Sequence, residues 1–502
     1  MTKPKRNPDS RALRICAAFL LSAALLASPL RTSASWPGDY VESVKSFIQE
    51  MHIEGKTDEQ LTVDALKGMF SGLDDYSAFM DREETKAYEE SLSGQFSGIG
   101  VSLDSTLSKE GIVISSVFSE SPAEAAGLQD GDILTKADEK SLVGLSGADA
   151  AKLIRGVAGT AVTLQVKRGV RVFPVVVVRG EIRIDTVTSR RDGQVGYLRI
   201  TQFSDSTVAG VETALEAFRK AGVKKIILDL RDNPGGYVGS AVDVARKLLP
   251  PGRIVSLDYR SEQMQDVHYS TSSPDPGWLI AVLVNENTAS AAEILAGAIQ
   301  DAENGYLIGK KTFGKGVVQS MFMLLTPEAY KKYGDQYQDT LVTDLEWSSY
   351  HGVAVRTDEL LGLAKITSGS YLTRNGRAIH KVGLIPTSAA ENRVSVNDVD
   401  ISLVDPVSFT TVLKEGEYAQ AVRQAESILK AGGYFKGIPD RQFGKDTSDA
   451  LKMYQKALKI KVSGLLDSRT DDALNGTLAS LRLRNDPQYK LAQSTLGFFG
   501  NR

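Results

Sequence analysis

Between residues 36 and 92 apolar side chains recur at helical spacing, in "DYVESVKSFIQEM", "TDEQLTVDALKGMFSGL" and, after a turn, "LDDYSAFMDREETKAYEESL". That period predicts helices, with Thr57 and Glu59 marking a start. The segment reads as a helical N-terminal arm that packs or dimerises, and a homodimer is expected. Between 93 and 181 the pattern changes to alternation. "GQFSGIGVSLD", "GIVISSVF" and "TLQVKRGVRVFPVVVVRG" read as strands and a hairpin, with short helices in "SPAEAAGL" and "GADAAKLIRG". From 182 to 390 the strand-like "VGYLRIT", "KKIILDL", "LIAVLV" and "GYLIGKK" alternate with the helical "VAGVETALEAFRKAG", "VGSAVDVARKLL" and "ASAAEILAGAIQDA". Such alternation predicts a layered α/β domain. Residues 323–361 interrupt it; they are polar, tyrosine-rich and without a clear period, and read as an insertion, either a lid or an oligomer contact. Helical stretches joined by glycine turns follow at 405–480, a small all-α module, and 480–502 read as a tail. The fold class is therefore multidomain α/β, with helices at both ends.

Composition changes this picture little. The 502 residues suit three or four domains. With 42% hydrophobic and 24% charged residues the chain is globular, and a net charge of -3 gives no reason to expect nucleic acid as a partner. The first 35 residues differ. Lys3, Lys5, Arg6, Arg11 and Arg14 precede the apolar "ICAAFLLSAALLASPL" and the small-residue "RTSASW". That order is the order of an export signal, and the apolar run is short for a full membrane span. A cleaved signal and a retained anchor that would associate the chain with a membrane both fit. Either way the expected location is the cell envelope, outside the cytoplasmic membrane. The single cysteine, Cys16, lies in this segment, so the exported chain would have none. Disulfides, thiol catalysis and zinc–thiolate sites are thereby excluded.

The chemistry gathers around "VNENTASAAEILAGAIQD" at 284–301. Ser290 follows a strand and a turn and opens a helix. Serine there is a common helix N-cap, but loops at the carboxyl ends of strands in an open α/β sheet converge on one crevice. "RDNPGG", after the strand "KKIILDL", and "TFGKGVVQ", after "GYLIGKK", belong to the same set. The four histidines, His52, His268, His351 and His380, all lie outside such loops and read as structural or surface residues. Lysine is the other base used with serine, and Lys315, between Gly314 and Gly316, is the candidate. A free lysine, with a pKa near 10.4, is neutral in only about one molecule in two thousand at pH 7. A depression of about 3 units would cost roughly 4 kcal/mol, which burial among apolar groups such as Phe313, Val317 and Val318 would have to impose. A surface lysine in a turn is the alternative. Gln319, four residues on, would share the face of Lys315 in a strand and could orient the ammonium through its amide oxygen. For an oxyanion, the N–H of Ala291 at the helix start is one donor and that of Gly235 or Gly236 the other. No metal or cofactor is implied.

Together "LDLRDNPGGYVGSAVDVARKLL", "VNENTASAAEILAGAIQD" and "GKKTFGKGVVQ", with "LDDYSAFMDREE" and "RNGRAIHKVGLIPT", resemble the carboxyl-terminal processing peptidases, tail-specific serine proteases of family S41. The resemblance covers about 40–388. It implies Ser290 as nucleophile, Lys315 as general base, Gln319 as its orienter and a tail-specific protease core. Residues 93–181 then resemble a PDZ domain, with "SGIGV" (Gly98, Ile99, Gly100 and Val101) as the loop that holds a terminal carboxylate. Arg155 resembles an arginine at the PDZ–protease contact of members in which the PDZ domain gates the active site. The C-terminal module is similar to peptidoglycan-binding domains through Gly433, Tyr434, Phe443, Gly444, Thr447, Tyr454, Gln455, Gly464, Asp467 and Thr470. Expected partners are protein substrates with free C-termini, and peptidoglycan. The rival readings are a non-catalytic PDZ and cell-wall scaffold, and a serine hydrolase acting on wall peptides. Ser290→Ala separates the first from the protease, and blocking the substrate's terminal carboxylate the second.

Overall fold

The computed structural model describes residues 38–499, except 104–109, 262, 263, 265, 408, 410 and 411. The expected export signal and Cys16 lie outside the described residues. The chain divides into two compact units. Of the described residues, one takes those up to Ser93 with Thr186–Leu307 and Lys311–Pro386; the other takes those of Gly94–Asp185, Ile308–Lys310 and those from Thr387 on.

The first unit is built on an open sheet with strand order Val187–Asp192, Val195–Ile200, Lys225–Asp229, Leu279–Val284, Gly305–Gly309. Lys225–Asp229 runs parallel to the strands on both sides. Parallel neighbours need crossover helices; these are Thr207–Lys220, Val238–Leu248 and Ala291–Asp301. Val282, Leu283 and Val284 are wholly buried, as are Ile294, Leu295 and Ile299 to within a few per cent. An apolar run without alternation is what a strand covered on both faces requires.

A second, antiparallel sheet frames the unit. Leu360–Thr373 pairs along one edge with Ala78–Asp81 and Gly252–Tyr259, and along the other with Val317–Leu325. The pairing with Ala78–Asp81 brings the segment around Asp74–Ser77 into this unit. The helices of the arm form as expected, Gly38–Met51, Asp58–Ser71 and Arg82–Ser93, the second capped by Thr57.

The stretch 323–361 has more structure than its aperiodic sequence suggested. The paired strands extend to Leu325 and begin again at Leu360, and two helices lie between, Pro327–Tyr337 and Asp344–His351. Thr326 and Thr343 cap them, and Trp347, fully buried, centres a small core with Leu325, Ala329, Tyr333 and Leu341.

In the second unit, residues 94–185 form the expected domain. Its sheet has the order Val101–Leu103, Ile112–Val117, Ile133–Ala137, Ala161–Arg168, Arg171–Val178, and Gln95–Gly98 pairs with Gly180–Arg183 to close the domain. The C-terminal module has helices Gln420–Ala431, Lys445–Ala457 and Ser468–Asn485 around Ile428, Leu451 and Leu474. The expected tail is a further helix, Pro487–Phe499, with Tyr489, Ala492 and Leu496 buried.

Candidate active site

Hydrogen bonds between side chains and backbone lock three loops together at the carboxyl ends of the parallel strands. The Thr288 hydroxyl donates to Leu230 O (2.9 Å), Ala289 N to Asn233 O (2.9 Å) and Phe313 N to Thr288 O (3.0 Å). Asn285 and Asn287 both donate their side-chain amides to Asp232 Oδ1, at 2.8 and 2.9 Å. Beneath them Asp229, wholly buried, is held as a carboxylate well by Arg231, which donates from Nε (2.9 Å) and a second nitrogen (2.6 Å), and by Tyr197 Oη (2.8 Å). Burial alone would raise the Asp229 pKa, but Arg231 and Tyr197 outweigh it and keep it below the ordinary value.

Ser290 sits at this junction with φ 55° and ψ -120°. An ordinary N-cap is extended and spends its side-chain oxygen on the helix. Ser290 does neither, since its hydroxyl makes no capping bond. A non-glycine residue with positive φ stores strain of about 1–3 kcal/mol, which the surroundings must hold in place. They do so through the main chain. Ser290 N donates to Glu293 (2.9 Å), and Ser290 O accepts from Glu293 N (2.8 Å), Ile294 N (3.0 Å) and Tyr371 Oη (3.2 Å).

Glu293 was not anticipated, and it is the hub of the site. Its wholly buried carboxylate accepts from Ser290 N and Lys315 N on Oε2, and from the Thr312 hydroxyl and Gly314 N on Oε1. Four donors repay much of the cost of burying a charge, although burial still leaves its pKa raised. The available signal was an acidic residue three positions after the serine in an otherwise apolar helix.

Lys315 begins the stretch leading into Val317–Leu325. Burial pushes its ammonium below the ordinary lysine value; the like charge of Lys365 adds to this and Asp74 opposes it. Its Nζ lies 4.8 Å from the centre of the Tyr76 ring, a contact that suits a cation. Tyr76 comes from the N-terminal arm and was also missed. Among the described residues no hydrogen bond joins Lys315 Nζ to the Ser290 hydroxyl. Gln319 does not bond Lys315 either. The strand begins at Val317, after Lys315, so the alternation from which a shared face was inferred does not reach the lysine, and Gln319 Nε2 donates to Thr367 Oγ1 (3.3 Å). His380, read as a surface residue, packs against Gly316 and has a buried Nδ1 with no hydrogen-bond partner among the described residues.

The three oxyanion candidates are not equivalent. Gly235 N already donates to Asn233 Oδ1 (2.9 Å), whereas the N–H groups of Gly236 and Ala291 make no hydrogen bond among the described residues. Both glycines require their identity. Gly235 has φ 108°, and a Cβ there would lie 2.8 Å from Ser290 Cβ; at Gly236, φ 132°, it would meet Phe203 O at 2.1 Å.

In the other unit, Gly98, Ile99, Gly100 and Val101 line one side of a groove of about 260 Å³, with Ile154 and Arg155 among the residues on the other. The N–H groups of Ile99 and Gly100 make no hydrogen bond among the described residues, and the Ile99 side chain anchors the loop in the domain core. The Arg155 guanidinium lies 4.7 Å over the Phe96 ring. In the C-terminal module, of the residues singled out from sequence, Phe443, Thr447, Tyr454, Gln455 and Thr470 are buried, whereas Gly433 is exposed. Gln455 accepts from Ser463 N and Gly464 N and donates to Thr470 Oγ1, and Tyr454 packs edge-on against Tyr434.

Three stretches of the chain match known families. Residues 194–390 match peptidase family S41, 113–168 a PDZ domain, and 418–474 a putative peptidoglycan binding domain. The carboxy-terminal processing protease CtpA of Bacillus subtilis is 34% identical over 449 residues, 88% of this chain and 86% of that protein. A probable CtpA-like serine protease of Staphylococcus haemolyticus is 30% identical over 430 residues, 85% of this chain and 78% of its own length. Among solved structures, a photosystem II D1 C-terminal processing protease is 25% identical, covering 76% of this chain and 93% of that one with a TM-score of 0.39. The chain belongs to the carboxy-terminal processing proteases, serine-type peptidases of family S41.

Proposed function

We propose that the protein is an exported endopeptidase of the cell envelope that cuts substrates near their C-termini with Ser290 as nucleophile and Lys315 as general base. The observation that carries this reading is the strained Ser290. Its hydroxyl is not spent on the helix, Gly235 is packed against its Cβ, and the unbonded N–H of Ala291 follows it at the start of a helix. Neutral Lys315 takes the Ser290 proton as Oγ attacks the scissile carbonyl. The oxyanion that forms is met by Ala291 N–H and Gly236 N–H, with Gly235 shaping the approach. Protonated Lys315 then gives its proton to the leaving amine, and water releases the acyl group by the same route in reverse. Gln319 orients the ammonium once the lysine swings from Tyr76 toward the serine.

Capture of the substrate falls to the PDZ groove. The unbonded N–H groups of Ile99 and Gly100 suit a terminal carboxylate, and the tail adds beside the groove as a strand. Arg155, stacked on Phe96 at the groove, is the residue through which occupancy would regulate cleavage. The C-terminal module would hold the enzyme on peptidoglycan, the arm would join two copies, and the basic, apolar N-terminus would direct export or anchor the chain. The test is cleavage of a protein substrate with a free tail. Wild type should cut it, Ser290→Ala should not, and amidating the substrate's C-terminus should slow the wild type. Undiminished cleavage by Ser290→Ala would remove the serine from the reaction.

A further inference from the structure

A chain of hydrogen bonds runs from the N-terminal arm to Gln319. Asp74 Oδ1 accepts from the backbone N–H groups of Tyr76 and Ser77, at 2.8 Å each, and from Thr367 Oγ1 at 3.1 Å; its Oδ2 accepts from Ser77 Oγ at 2.8 Å. Ser77 Oγ in turn accepts from Thr367 N (3.0 Å), so the loop and the strand are tied twice. Burial works against the Asp74 charge, but the donors from Ser77, Tyr76 and Thr367 outweigh it and hold the carboxyl below its ordinary pKa. Thr367 Oγ1 is also the acceptor of Gln319 Nε2, at 3.3 Å.

Proton counting fixes the direction of this chain. A carboxylate only accepts. The single hydroxyl proton of Thr367 therefore goes to Asp74, and its oxygen can only accept from Gln319. The glutamine must turn its NH₂ toward Thr367. Its Oε1, which makes no hydrogen bond among the described residues, is left as the outward acceptor. A flipped amide would set its carbonyl against the threonine lone pairs and turn donors outward, where they would repel an ammonium.

We infer that Asp74 and Thr367 are positioning residues for the reaction, setting the Gln319 amide so that its oxygen faces the Lys315 ammonium. The inference rests on the reading of Lys315 as base and Gln319 as its partner. It also gives the arm a part in catalysis, because Asp74 belongs to the segment just before the strand Ala78–Asp81.

The test uses the full chain and four variants: Thr367→Val, Thr367→Ser, Gln319→Ala, and Thr367→Val combined with Gln319→Ala. Thr367→Val keeps the β-branched shape and the backbone bond to Ser77, and lacks only the hydroxyl. It should lower kcat roughly 10-fold through a misplaced amide, with KM little changed. It should also move the acid limb of the pH–rate profile to lower pH, because the charged lysine loses an acceptor that favours it. Thr367→Ser should restore both. In the Gln319→Ala background, Thr367→Val should change nothing further. An unshifted profile in Thr367→Val, or a full additional loss in the double variant, would overturn the inference. If instead Lys315→Ala remained active, the reading of the base would fall, which is a separate outcome.

Discussion

The backbone amides of Ser290 and Lys315 donate to one oxygen, Oε2 of Glu293, each at 2.9 Å. Ser290 and Lys315 stand on different loops, and a single buried carboxylate sets the distance between their main chains. Glu293→Gln tests this. An amide carries donors where two N–H groups need an acceptor, so whichever way it turns, at least one buried N–H is left facing a donor. Each such orphan costs about 1–3 kcal/mol. The variant should unfold at lower temperature and lose at least roughly 10-fold in kcat through displacement of the two loops; thermal denaturation and steady-state kinetics report the two effects. Wild-type activity with wild-type stability would show that the carboxylate does not set the spacing.

Gly235→Ala should separate stability from chemistry. The added Cβ would stand 2.8 Å from Ser290 Cβ and 3.0 Å from Ala291 N. The open sheet is untouched, so secondary structure by circular dichroism should be unchanged. Peptidase activity should fall by roughly 10²-fold, since Ser290 and the Ala291 N–H, the proposed oxyanion donor, are both displaced.

The 326–359 segment has its own core, and its loss should leave the chemistry intact. Trp347→Ala removes a fully buried indole that packs on Tyr333 and Tyr337. The local cost is about 3–5 kcal/mol, so limited proteolysis should cut between Thr326 and Glu359 before it cuts elsewhere. Cleavage of a short peptide by Ser290 should persist. Loss of short-peptide cleavage together with local unfolding would make the segment part of the active site.

The parallel strands, their loops and Ser290 were legible because burial on both faces writes an unbroken apolar run, and the topology then fixes where the loops go. Lys315 stood out as a candidate for a different reason, as the polar residue in a glycine-framed loop. What stayed hidden acts across long separations. Thr367 N reaches Ser77 over 290 residues, and nothing in "LDDYSAF" announces that Tyr76 will cover a lysine. Glu293 reads as an ordinary first-turn acid until its side chain is seen to serve Thr312, Gly314 and Lys315. Alternation could not relate Gln319 to Lys315, because the strand starts only at Val317. The helices at 327–337 and 344–351 carried start signals, Thr326 with Pro327 and Thr343 with Glu346, but the second is short and has almost no apolar period.

The pH dependence of the Lys315→Arg variant against wild type tests the central claim most directly. Burial depresses the lysine, so the wild-type kcat/KM for a short peptide should rise as pH climbs through a pKa below the ordinary 10.5. Arginine keeps the charge but does not lose its proton in this range, so Lys315→Arg should be as inactive as Lys315→Ala at every pH. A wild-type rate that stays level from neutral to alkaline pH, with cleavage retained by Lys315→Arg, would contradict a lysine base.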